Sequence, residues 1–114
     1  MKLSNESEIK ENILSLKFLL PKSVQLIAVS KTFSYESVQV AYNAGQRDFG
    51  ENKVQELIMK AEQLKGLPGI RWHFIGHLQS NKAKMLLKVP NLYMIHSLDG
   101  SKIIQKMNRL CEEI

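Results

Sequence analysis

Cysteine is nearly absent from this 114-residue chain, with Cys111 standing alone. One thiol cannot form an internal disulfide framework, and the expectation is a fold without bridges in a reducing, cytoplasmic setting. Long apolar runs are missing too. No stretch approaches the ~20 residues that span a bilayer, and the polar start "MKLSNESEIKEN" has no apolar core of a secretory leader. Sixteen Lys and Arg against eleven Asp and Glu give a net charge of +5, yet no run of five or more basic residues occurs. Scattered lysines among glutamate and glutamine describe a solvated exterior, so neither a nucleic acid nor a membrane is expected as partner. Small phosphate-bearing molecules stay compatible with the same positive field. No Gly-x-Gly-x-x-Gly follows a strand and no Gly-x4-Gly-Lys occurs, which removes support for dinucleotide and P-loop sites. His73, His77 and His96 lack the helical one-turn spacing of a zinc protease pair, and no metal site is expected.

What is present is a repeated alternation of two periods. An opening helix up to about residue 21 places Ile9, Ile13, Leu16 and Leu20 on one stripe, with Asn5 and Glu8 spaced as a capping box and Pro21 as the stop. Four strands then begin near residues 26, 47, 70 and 92: "VQLIAVSK", "RDFG", "IRWHFIG" and "LYMIHSL". Each precedes a helical pattern. Ser34 is placed to cap the first, Asn52 with Gln55 the second and Ser80 the third, while Gly45, Gly66 with Pro68, and Pro90 supply the breaks. The last helix, from about Ser101, puts Ile103, Ile104, Met107, Leu110, Cys111 and Ile114 on one side, so the cysteine is expected in the core.

An interval of 21 to 23 residues between strand starts means βα units and a parallel sheet. The fold class expected is α/β: the first half of a (β/α)8 barrel, four units preceded by an N-terminal helix, as a single domain over residues 1–114. A complete barrel needs around 250 residues. Four units therefore leave two bare edge strands and one uncovered sheet face, which invites pairing of two copies into a homodimer.

The unusual residues gather after the strands: "SKT", "GEN", "GHLQSNK" and "HSLD". Carboxyl ends of parallel strands are where such folds place ligands. Lys31 ends an apolar run, "LIAVSKT", although lysine is among the residues least willing to be buried. A lysine pointing into such a mouth is partly desolvated and can attack a carbonyl, whereas one snorkelling to solvent only finishes a strand. Gly50 and Gly76 allow close backbone approach. Asn52 serves either as cap or as ligand contact. Glu51 is free to accept a hydrogen bond from a ligand, to pair with Lys31 or to remain a solvated loop carboxylate. Asn81 and Lys82 open a helix that can attract an anion. His77 and His96 lie on the same rim, and His73 alternates with Trp72 and Phe74 along its strand.

"LIAVSKT", "DFGENKVQEL", "WHFIGHLQSNK" and "IHSLD" occur in the order and at roughly the spacing of the pyridoxal phosphate homeostasis protein family, which the chain resembles from about residue 5 onward. This family in turn resembles the barrel domain of alanine racemase. The resemblance implies a barrel whose Lys31 holds pyridoxal 5'-phosphate (PLP) as a Schiff base, with Asn52 near the cofactor and the loop from Gly76 through His77 and Asn81 to Lys82 bordering its pocket. It implies a role in vitamin B6 and amino-acid balance without robust catalysis. The family's second half, with a serine- and glycine-rich loop and further residues that grip the phosphate, has no counterpart here, so weak cofactor retention is expected. Two alternatives stand beside this. One is a racemase-like enzyme with Lys31 as base and Tyr42 or Tyr93 as the open candidates for a second acid/base. The other is a half-barrel that acts only as a dimerising unit.

Overall fold

The computed structural model describes residues 6–31 and 33–113. Helix α1 (Glu6–Leu19) leads into four βα units: β1 (Ala28–Val29) and α2 (Tyr35–Asn43), β2 (Asp48–Glu51) and α3 (Val54–Gln63), β3 (Arg71–Phe74) and α4 (Ala83–Leu87), β4 (Leu92–Ile95) and α5 (Ser101–Glu113). All three strand pairs are parallel and the sheet order is β1-β2-β3-β4. Sequential order without a crossover to the far side is the winding of a (β/α)8 barrel, and four units are half of one. β1 and β4 are its two edges.

Side chains alternate across β2 and β3 because the strand period is two residues. Phe49, Trp72 and Phe74 turn to the helices and form the core with Leu57, Ala61 and Leu86. Asp48, Gly50, Arg71 and His73 turn to the opposite face, the one a closed barrel would enclose. α3 packs on both central strands, as the apolar stripe of Val54, Leu57, Ala61 and Leu64 requires.

Several local expectations hold and several do not. Ser34 caps α2 through its Oγ, which accepts from the Ser37 N–H at 3.3 Å. The Asn5 cap lies outside the described residues. Of the α1 stripe, Ile9 and Ile13 are buried, whereas Leu16 is exposed. β1 is far shorter than its apolar run because the Leu26 carbonyl accepts from the Gln46 side chain at 2.7 Å instead of joining a ladder. The third helix is split: Ser80–Lys82 form a 3-10 turn, whose cap position is Gln79 rather than Ser80, before α4 begins. Cys111 is exposed rather than in the core, because α5 buries only Ile103 and Met107, and Ile114 lies outside the described residues.

Candidate cofactor rim at the strand ends

β1 hands the chain to Ser30 and then to Lys31. The Ser30 N–H donates to the Gly50 carbonyl at 2.9 Å, the last ladder bond on this side of the sheet. Lys31 follows in a turn and is exposed, so the desolvated amine expected of a lysine deep in a mouth is not what four units provide. The face it borders is open because no further strands enclose it.

Behind Ser30, on the helix side, lies a buried polar network. Lys60 Nζ donates to the Ser30 carbonyl at 2.5 Å and to Glu51 Oε2 at 2.8 Å, and Ser30 Oγ donates to the same carboxylate oxygen. Glu51 is fully buried and Lys60 nearly so. Burial pushes the Glu51 carboxyl above its ordinary value, even though Lys60 and Ser30 both pull it down. Glu51 thus pairs with Lys60, not with Lys31, because its side chain shares a face with Phe49 and turns away from the open side. Lys60 is not among the residues expected at this rim. Its signal was present: position 60 falls within the stripe 57, 61, 64 that α3 buries, where a lysine needs a partner.

After β2, Lys53 rather than Asn52 occupies the N-cap position of α3. Asn52 is half-buried, and its backbone is packed against Gly76 at the end of β3. A Cβ on Gly76 would sit 2.2 Å from the Asn52 carbonyl oxygen, so only glycine fits there. These two loops enclose a cleft of about 540 Å³ whose walls include Asn52, Phe74, Gly76, His77, Gln79 and Lys82. That volume lies within the range of small-molecule sites. His77 is exposed and its Nδ1 lies 3.4 Å from Asp99 Oδ2. Asn81 is exposed on the 3-10 turn. The fold therefore brings Asn52, Gly76 and His77 to one cleft, while Lys31 and Asn81 share its rim without lining it.

The open face carries a second polar chain that the sequence did not announce. Arg71 clamps Asp48 with two bonds of 2.7 Å, His73 Nε2 lies 2.9 Å from Asp48 Oδ1, and His73 Nδ1 lies 2.9 Å from His96 Nε2. Burial raises the Asp48 carboxyl, but bonds from Arg71 and His73 outweigh it and lower the group to about 2. An ionised carboxylate only accepts, so His73 Nε2 bears the hydrogen and its Nδ1 shares a single hydrogen with His96. Tyr93 stacks against His73 from β4. Tyr42 points elsewhere: its hydroxyl donates to the Pro68 carbonyl at 2.5 Å, in the loop before β3 at the opposite rim. Among the described residues no cluster of three His, Cys, Asp or Glu is arranged for a metal, and no helix is long and apolar enough to cross a membrane.

These features define the class first: four βα units of a barrel, open toward its own interior, with a lysine two residues past the first strand and a cleft across the next two strand ends. No family model matches the chain. It is 47% identical over 95 residues to the pyridoxal phosphate homeostasis protein of Synechocystis sp., covering 83% of this chain and 43% of that protein. To the protein of the same name from Homo sapiens it is 51% identical over 87 residues, 74% of this chain and 32% of that one. Among solved structures, PipY of Synechococcus elongatus PCC7942 with PLP bound superposes with a TM-score of 0.86 at 46% identity, over 92% of this chain and 49% of PipY. The chain is homologous to the pyridoxal phosphate homeostasis proteins, and it spans less than half the length of the curated relatives it matches.

Proposed function

We propose that the chain is part of a protein that holds PLP on Lys31 and keeps this cofactor and amino-acid pools in balance in the cytoplasm, without substrate turnover of its own. The observation that carries the reading is the position of Lys31: a primary amine at the end of the first parallel strand, on the rim that holds the cleft of Asn52, Gly76 and His77. The residues fit the group. Its aldehyde offers an electrophilic carbon, and Lys31 Nζ is the nucleophile that joins it with loss of water. Gly50, beside Val29 in the ladder, presents no side chain to the open face, and Ile27 and Ile75 close over it, so that a Cβ there would lie 3.2 Å from Ile75 and 3.3 Å from Ile27. Lys82, half-buried in the cleft wall, supplies positive charge for an anionic group.

Retention by this half alone is weak, because the uncovered face leaves one side of the site in water and half the expected barrel contributes no donors to the phosphate. The bare edges of β1 and β4 favour pairing of two copies. The test is incubation of the chain with PLP, borohydride reduction and mass mapping. Lys31 is expected to carry the label well ahead of exposed lysines such as Lys84 and Lys88, and Lys31→Ala to abolish that preference. An even spread over surface lysines would overturn the assignment. A racemase-like reading requires faster α-proton exchange on alanine than free PLP gives; no such acceleration is expected.

A further inference from the structure

Nothing in the sheet itself fixes the direction in which Lys31 leaves β1. This strand is two residues long, lies at an edge, and makes its last ladder bond at Ser30. Past that point the chain is held through Ser30. Its carbonyl accepts from Lys60 Nζ at 2.5 Å and from the Phe33 N–H at 3.1 Å, and its hydroxyl donates to Glu51 Oε2. The two ends of one buried ion pair therefore grip the residue next to Lys31. Glu56, one turn before Lys60 on α3, lies 4.0 Å from the same amine and adds to its negative surroundings.

Stability alone does not account for this pair. Replacing a buried ion pair by well-packed apolar side chains is often neutral or stabilising, and the rest of the α3 face is already Leu57, Ala61 and Leu64. What an apolar side chain cannot do is hold the Ser30 carbonyl. We infer that Lys60, anchored by Glu51, is a positioning residue that fixes the Ser30–Lys31 peptide and so aims the Lys31 amine at the aldehyde it joins; the inference rests on the role proposed above for Lys31. Lys60 itself lies on the helix side of the sheet and does not touch that reaction.

The experiment compares the rate of PLP-dependent, borohydride-trapped modification at Lys31 in the unsubstituted chain, Lys60→Met, Lys60→Arg and the double variant Glu51→Gln with Lys60→Met, using the exposed Lys84 as internal reference. In the double variant, with no charge left unpaired, the Lys31-to-Lys84 ratio is expected to fall about tenfold or more, since small misplacement of a reacting group costs heavily. Lys60→Arg, which keeps the charge and can bond both oxygens, is expected to restore most of the ratio. A folded double variant that labels Lys31 at the original ratio would overturn the inference while leaving the role of Lys31 intact. No preference for Lys31 in the unsubstituted chain would sink that role first. Should the neutral variants fail to fold, the ammonium resonance of Lys60 in the unsubstituted chain decides. It is expected to shift when Lys31 is modified while that of Lys84 does not, and an unmoved Lys60 resonance overturns the inference.

Discussion

Gly76 shows how one missing side chain ties two loops together. Its Cα lies against the Asn52 backbone so closely that a methyl group has no place, and backbone cannot step aside as a flexible side chain can. Gly76→Ala is therefore expected to cost about 1–3 kcal/mol by urea titration and to open the cleft. Asp48 works through charge. Its folded value of about 2 lies below the ordinary 3.8, so the fold favours the ionised form. The resulting stability is complete above about pH 4 and is lost as the pH falls toward 2, in all about 2 kcal/mol. Asp48→Asn is expected to flatten that part of the stability–pH curve in acid titrations. Glu51 has the opposite sign: its raised carboxyl favours the fold at low pH, and this contribution fades as the pH rises through the folded value.

Among the elements, α3 and β1 are coupled more tightly than their separation in sequence suggests. The Lys60–Glu51 pair joins α3 to β2 and, through the Ser30 carbonyl, to the residue just past β1, and its two partners have unequal replacement costs. Lys60→Met alone leaves a buried carboxylate without its cation and is expected to cost about 3–5 kcal/mol, whereas the double variant with Glu51→Gln is expected to lie near the original stability. Equal losses from both, in chemical denaturation, would show that packing rather than charge dominates. Helices α2 and α3 were legible from spacing alone because their apolar stripes are regular over two to three turns. The length of β1 was not, because an apolar run says nothing about the Gln46 side chain that bonds the Leu26 carbonyl. The Asn52 cap failed for a related reason: the packing of Gly76 on the Asn52 backbone sets where the helix can start.

The molecule as a whole is a sheet covered on one face. On its open side His73 and Asp48 are buried, with Arg71, Tyr93 and His96 against them, and Val29 and Met94 are left exposed at or near the edges. Edges of this kind pair with other strands unless they are covered. Sedimentation over a range of concentrations is expected to show association of the isolated chain. A compact monomer at every concentration would mean that these edges are protected after all.

The sequence by itself determined the alternation of strand and helix, the parallel order that follows from it, and the gathering of Lys31, Asn52, Gly76, His77 and Asn81 at one rim, because hydrophobic period and loop position are local properties. Only the tertiary structure decided that Glu51 meets Lys60, that Asp48, His73 and His96 form one chain, and that Lys31 stands exposed. Those outcomes depend on which side chains share a face across strands some twenty residues apart, and on how much of the interior the remaining strands enclose.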